Sequence, residues 1–256
     1  MDQRADARST HRLAAEAGAL LLALRELPSW RDMDLAQRRE AGDAASQRFL
    51  AAELAAASSS DLVLSEEAAD DQRRLAAERV WIIDPLDGTR EFAEGRADWA
   101  VHVALWQRGD LAAGAVALPG LGRTLSTAEP PPRPVPEQGR VRIAVSRTRA
   151  PAIATQVSAR LAADLVPMGS VGYKVAAVVL GEVDAYIHAG GQYEWDSAAP
   201  VAVARAAGLH TSRLDGSPLL YNQPDPYLAD LVVCRPELAD ALLAAISEQV
   251  ARGSVR

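Results

Sequence analysis

One cysteine, Cys234, and one lysine, Lys174, occur in the 256 residues, and no stretch approaches the roughly 18 apolar residues of a membrane-spanning helix. A lone cysteine excludes an intrachain disulfide and a structural zinc site built from several thiolates, and it fits a chain of the reducing cytoplasm. Basic excess is also missing: 27 Lys and Arg face 34 Asp and Glu, for a net charge of −7 and a pI near 5.2. Proteins that hold nucleic acid by its phosphates normally show a basic face, so the balance speaks against that partner. The N-terminal segment lacks the uncharged run of a signal peptide, because Glu16, Arg25 and Glu26 interrupt the leucines from Leu13 to Leu27. With 49% hydrophobic and 24% charged residues the composition is that of a globular protein, long enough for one large domain or two modest ones. An acidic protein that handles anionic substrates needs a local source of positive charge, such as a metal ion.

Leu13, Ala17, Leu20, Leu21, Leu24 and Leu27 recur at three- and four-residue steps and predict a first amphipathic helix. Ala45, Phe49, Ala52 and Ala56 predict a second, starting near Asp43. Two strand patterns follow, Leu62 to Leu64 and Val80 to Ile83, and carboxylates stand where each ends: Glu66 and Glu67 after the first, Asp84 and Asp87 after the second. Segments 99–106 and 111–118, around Arg108-Gly109-Asp110, read as a hairpin. The proline-rich run 130–136 admits neither helix nor central strand and marks the internal boundary, between an N-terminal α+β half (1–136) and a C-terminal α/β half (137–256). In the second half the pattern predicts strands at 141–145 and 183–188. Helices are expected at 153–163, 172–180, from Asp196 to Gly208 and at 236–251. The mixture indicates α/β layering.

The segment Ile82-Ile83-Asp84-Pro85-Leu86-Asp87-Gly88-Thr89 concentrates the chemistry. Aspartates three apart around a proline let two carboxylates and the Leu86 carbonyl converge, and an all-oxygen set suits Mg²⁺ better than Zn²⁺. Gly88 and Thr89 open a short helix whose free amides suit a phosphate. A plain alternative is a capped turn with Asp87 as N-cap. Glu66 and Asp196 add carboxylates from other strand and helix ends, and they make one site only if the fold brings them together. The spacing of Asp84 and Asp87 does not match the Asp-x-Asp pattern of phosphatases that form a phosphoaspartate.

The stretches Trp81 to Phe92 and Trp195 to Pro200, the latter leading to Ala206-Ala207-Gly208, resemble the two motifs of the inositol monophosphatase superfamily of lithium-sensitive, Mg²⁺-dependent phosphatases. Together with Ser65-Glu66-Glu67 the resemblance covers about residues 13 to 250. It implies a five-layer α-β-α-β-α sandwich of the inositol monophosphatase and fructose-1,6-bisphosphatase type. Within the superfamily the chain is similar to the bacterial 3'(2'),5'-bisphosphate nucleotidases of sulfate assimilation, in their actinobacterial form, through residues 189–196 and 213–219. Inositol monophosphatases usually carry a glutamate seven residues before the second-motif aspartate, where this chain has Ala189.

The resemblance implies two or three Mg²⁺ ions held by Glu66, Asp84, the Leu86 carbonyl, Asp87 and Asp196. Thr89, Asp43 and Glu66 would form the catalytic set, with Thr89 and Asp43 orienting the attacking water. Arg38-Arg39-Glu40-Ala41-Gly42 replaces the usual threonine-rich approach to that aspartate, so Asp43 is alternatively an N-cap. Substrate would lie against Leu86, Asp87, Gly88, Thr89 and Asp196. Ser170 and Lys174, in a Gly-Ser turn at a helix start, are candidates to hold a further phosphate, and Ser146-Arg147-Thr148-Arg149 is a weaker one. The implied substrate is 3'-phosphoadenosine 5'-phosphate, and the implied assembly is a cytoplasmic homodimer. Inositol 1-phosphate or fructose 1,6-bisphosphate are the competing substrates, and a non-catalytic phosphate- or nucleotide-binding protein is the competing class. His11, His102, His188 and His210 have no metal-ligand spacing and read as structural or surface, Cys234 reads as a small buried hydrophobe, and Trp81, Trp99 and Trp106 as core.

Overall fold

The computed structural model describes residues 3–58, 60–135, 139–148 and 150–253. Two five-stranded sheets carry the architecture. The first has the order β1-β2-β3-β4-β5, from Leu62–Ser65, Arg79–Asp87, Ala100–Gln107, Asp110–Leu118 and Arg123–Ser126. The second has the order β7-β6-β8-β10-β9, from Asp164–Met168, Arg142–Ser146, Ala185–Tyr193, Tyr227–Cys234 and His210–Ser212. One lies before the proline-rich run and one after it. Pro136 and Arg149 lie outside the described residues.

Alternation decides the layering. Trp81 and Ile83 of β2, with Val101, Val103 and Leu105 of β3, face a core shared with α1 (Gln3–Arg25) and α3 (Leu35–Ala57). Val80, Ile82, Ala100 and Ala104 face the opposite way, into a core shared with α6 (Val171–Val179) and α7 (Glu194–Ala206). The far face of the second sheet packs Ile143, Val145, Ile187 and Val232 under α5 (Ala152–Leu161) and α8 (Pro236–Gly253). Sheets buried on both faces explain why these strands read as nearly unbroken apolar runs. The order is helix, sheet, helix, sheet, helix, the five layers expected from the resemblance.

Two short helices complete the chain, α2 (Pro28–Asp32) and α4 (Thr89–Ala93). The second long helix begins at Leu35, not near Asp43. Asp34 caps it by accepting from the Gln37 N–H at 2.9 Å, and the Gln37 side chain returns a bond to the Asp34 N–H. Asp43 therefore lies inside a helix, and the N-cap reading of it is overturned. Gly42, one residue earlier, lets α3 approach the metal-motif turn closely. A Cβ there would come within 2.6 Å of the Phe92 ring and 2.7 Å of Leu86.

Candidate active site

In a regular strand residues three apart point to opposite faces. Asp84 and Asp87 nevertheless share a face, because β2 pairs Asp84 with His102 and Asp87 with Ala100, taking up one extra residue at a bulge. Pro85, which cannot donate to the ladder, sits in that bulge. The bulge turns Asp87 back toward the central helical layer. There the N-terminus of α7 delivers Asp196, and oxygens of Asp84, Asp87 and Asp196 all lie within 4.8 Å of one another. Spacing in the sequence and the bulged register of β2 against β3 thus build one carboxylate centre from two distant motifs.

Each aspartate is held differently. Asp87 accepts from the Gly172 N–H at 2.5 Å and the Val171 N–H at 3.2 Å, at the start of α6. It is not an N-cap of α4, whose N-cap position is Gly88 at φ +86° without a side-chain bond. Asp196 accepts from the Tyr193 N–H at 2.6 Å, in the first turn of α7, which begins two residues earlier than the pattern predicts. Asp84 Oδ1 accepts from the Leu86 N–H at 3.0 Å, whereas its Oδ2 is buried with no hydrogen-bond partner.

Electrostatics follow from this. Burial and the charges of Asp87, Glu66 and Asp196 push Asp84 well above the usual carboxylate range. Burial also works on Asp87, but His102, the Gly172 N–H and the Lys174 charge outweigh it and hold Asp87 below that range. Asp196 is raised to about 6 by burial, partly offset by its Tyr193 bond. Glu66, an exposed residue, is raised to about 7 by desolvation beside the cluster and then by the charges of Asp196, Asp87, Glu67 and Asp43, while its oxygens stay outside the 4.8 Å group. A buried carboxylate oxygen without a donor, amid mutually repelling acids, is a donor set suited to a cation. With oxygen donors alone, the set fits Mg²⁺.

Asp43 is raised to about 7 by burial and the Glu67 charge. Thr89 is half-buried at the start of α4, next to Gly88. The Ser170 hydroxyl accepts from the Tyr173 N–H at 3.1 Å and caps α6. Lys174 is buried, donates to the carbonyls of Gly169 and Ser170, and lies 5.2 Å above the Tyr186 ring. Burial lowers it to about 8, and its charge favours ionised Asp87 and Asp196. The lone lysine thus underlies the carboxylate centre. Arg147 pairs with Glu91 at 2.8 Å and Glu94 at 2.9 Å. Arg149 lies outside the described residues.

His102 is the residue that motif spacing misses. It is fully buried, its Nε2 lies 3.2 Å from Asp87 Oδ2, and its Nδ1 lies 3.2 Å from the Trp195 carbonyl oxygen. A carbonyl only accepts, so Nδ1–H is the donor of that contact. No hairpin count finds it: across the β3–β4 turn His102 lies opposite Val116, and it meets Asp84 through the antiparallel pairing of β3 with β2, which are connected through α4, on the face that carries the aspartates. Cys234 is buried as expected, its thiol pushed up to about 12 by burial. Trp81 and Trp99 are core, and Trp106 packs partly buried against it.

Residues 10–251 match the model of the inositol monophosphatase family. The chain belongs to that family. Within the family, it is 51% identical over 254 residues to the 3'-phosphoadenosine 5'-phosphate phosphatase of Mycobacterium leprae, covering 92% of this chain and 91% of the relative. It is 32% identical over 161 residues to the 3'(2'),5'-bisphosphate nucleotidase CysQ of Escherichia coli, covering 59% and 65%. Among solved structures, CysQ from Bacteroides thetaiotaomicron aligns with a TM-score of 0.77 at 24% identity, over 91% of this chain and 97% of that one. An inositol monophosphatase from Anabaena aligns with the same TM-score at 20% identity, over 95% and 96%. At these identities the structural likenesses establish the shared fold of the family.

Proposed function

We propose that this chain is a Mg²⁺-dependent phosphatase that hydrolyses the 3'-phosphate of 3'-phosphoadenosine 5'-phosphate to AMP and phosphate. The observation that carries the substrate is the 51% identity, across nine-tenths of the chain, to a relative named for that reaction. The carboxylate centre supports the chemistry. Asp84, Asp87, Asp196 and Glu66, with the Leu86 carbonyl, would hold two or three ions, the number that the family resemblance implies. Bound there, Mg²⁺ supplies the positive charge that this acidic chain lacks, neutralising the phosphate and acidifying a water.

The chain's own groups do the rest. Asp43, poised near neutrality, accepts the proton of the attacking water, while the Thr89 hydroxyl fixes that water's direction. Water oxygen bonds to phosphorus, and the bond from phosphorus to the ribose 3' oxygen breaks. The leaving oxygen takes a proton from solvent. His102 and Lys174 keep Asp87 ionised for the metal.

A cleft of about 330 Å³ is lined by Arg90, Ser146, Thr148, His188, Ala189 and Gly191, among others, and its size falls within the range of small-molecule sites. Its hydroxyls and arginine suit the second phosphate of a nucleotide, and Ala189 withholds the carboxylate that would bind inositol hydroxyls. Ser170 and Lys174, read from the sequence as candidates to hold a further phosphate, are buried, with the hydroxyl accepting from the Tyr173 N–H and the amine donating to two carbonyls. We therefore assign them a supporting role beneath the carboxylate centre and no contact with substrate. On this reading the protein acts in sulfate assimilation in the cytoplasm, as a lithium-inhibited homodimer.

The test is phosphate release from equal concentrations of 3'-phosphoadenosine 5'-phosphate, inositol 1-phosphate and fructose 1,6-bisphosphate, with and without Mg²⁺ and with added Li⁺. A clear preference for the nucleotide and loss of turnover with Li⁺ are expected. Equal or reversed preference removes the substrate assignment, and no release from any of the three favours a non-catalytic binding protein.

A further inference from the structure

Glu66 and Asp196 come from stretches 130 residues apart in the numbering, and no strand pairing joins them. We propose that Arg74 is a positioning residue for the metal site, tying the segment that carries Glu66 to the helix start that carries Asp196. The proposal rests on the metal reading of the carboxylate centre.

Arg74 is fully buried in a single 3₁₀ turn, Gln72–Ala76, shortly after Glu66. All three of its nitrogens are used. Nε donates to Asp70 Oδ1 at 2.6 Å and Nη2 to Asp70 Oδ2 at 2.9 Å, which pins the segment four residues past Glu66. Nη1 donates to Asn222 Oδ1 at 2.7 Å, Nη2 to the Gln223 carbonyl at 2.9 Å, and the Asn222 side-chain amide returns a bond to the Arg74 carbonyl at 3.1 Å. Asn222 and Gln223 belong to the connection between β9 and β10, remote in sequence from both metal motifs.

That connection is in turn fastened to α7. Glu194, buried in the first turn of α7, accepts from the Asn222 N–H at 2.6 Å and the Gln223 N–H at 2.8 Å. Its own N–H donates to the Pro226 carbonyl at 2.9 Å. Two residues further along stands Asp196. A chain of hydrogen bonds, buried at Arg74, Asn222 and Glu194, therefore runs from the segment after Glu66 to the first turn of α7, in which Asp196 stands. A planar guanidinium makes this junction because it offers donors in fixed directions, whereas a lysine ammonium keeps the charge and loses the fork.

A scaffold with no bearing on the metal would affect only stability. A positioning network affects the affinity of the ions whose ligands it aligns, typically by about 10–100-fold. The experiment uses the full chain, stripped of metal, in three forms: wild type, Arg74→Lys and Asn222→Gly. Asn222 has φ +60°, which glycine adopts freely, so that variant keeps the backbone and removes only the side-chain link. Mn²⁺ binding is titrated calorimetrically, and the Mg²⁺ concentration for half-maximal phosphate release is measured beside it.

Both variants are expected to bind Mn²⁺ about 10-fold more weakly or worse and to need correspondingly more Mg²⁺, with turnover recovering at saturating Mg²⁺. Variants that melt earlier yet bind Mn²⁺ and respond to Mg²⁺ as wild type does would overturn the proposal. Failure of the metal reading looks different: wild type itself would neither bind Mn²⁺ nor need Mg²⁺, and both claims would fall.

Discussion

Asp84 and Asp87 differ in what surrounds them, and the difference predicts opposite effects of the same substitution. Asp84 has an orphaned oxygen and is disfavoured as an anion, so Asp84→Asn removes repulsion from the metal-free protein. It is expected to abolish turnover while leaving the metal-free Tm at or above that of wild type. Asp87 accepts two backbone N–H bonds and faces His102, so Asp87→Asn abolishes turnover and also destabilises, by about 1–3 kcal/mol. Thermal melts of both variants without metal check this, and a fall in Tm for Asp84→Asn would contradict it. At this scale the sequence was informative about identity and silent about surroundings. Asp84, Asp87 and Asp196 were legible from their motifs, whereas His102 took meaning only from its place opposite Asp84 in the pairing of β3 with β2. The partners of Asp87 at the start of α6 lie more than eighty positions away, and no local pattern announces them.

Among the elements, α3 and the turn after β2 meet at Gly42, and the contact sets where Asp43 stands. Gly42→Ala would force a methyl to within 2.6 Å of Phe92 and 2.7 Å of Leu86, both of them buried. Overpacking of that kind costs about 1–3 kcal/mol. We expect Gly42→Ala to lower kcat by moving Asp43 and also to weaken Mg²⁺ binding, since the methyl presses on Leu86, whose carbonyl is one of the proposed metal ligands. Kinetics against Mg²⁺ concentration separate the two, and an unchanged kcat would show that α3 does not position Asp43. Sequence pattern revealed the β3–β4 hairpin, β1, β2 and the major helices, because each buries a periodic face or ends in a turn signal. It missed β5 and β9, only four and three residues long, and β7, where Pro167 breaks the strand pattern. Proline is tolerated there because β7 is an edge strand of its sheet. The start of α3 was misplaced because its first two turns, Leu35 to Gly42, bury only Gly42, leaving no periodic apolar face to read.

Across the whole molecule the two sheets share the central layer of α6 and α7, and the carboxylate centre forms only when both halves of the chain are folded together. A fragment ending at residue 136 would expose the face of the first sheet that α7 covers, so it is expected to show no cooperative melt, while the full chain melts in one transition. Two separate transitions of the full chain would contradict this. The acidic centre also sets the response to pH. Asp43 and Glu66 at about 7 and Asp196 at about 6 lie above the ordinary carboxylate values near 4, so between those limits the folded, metal-free protein holds protons that the unfolded chain has lost. Stability of the metal-free protein should therefore fall as pH rises from about 4 to 7. Mg²⁺ needs the same groups deprotonated, so its stabilising effect should grow over that window. Melts at several pH values with chelator and with Mg²⁺ check both, and a metal-free Tm that rises across the window would refute the assignment.

On the proposed function, the carboxylates of Asp84, Asp87 and Asp196 hold the metal on which turnover depends. The most direct test of that role is phosphate release from 3'-phosphoadenosine 5'-phosphate as a function of Mg²⁺, for wild type and Asp196→Asn side by side. Wild type is expected to release no phosphate in chelator and to recover on adding Mg²⁺, and the variant to release none at any Mg²⁺ concentration despite a cooperative melt. Turnover by wild type in chelator, or by Asp196→Asn at wild-type Mg²⁺, would contradict that role.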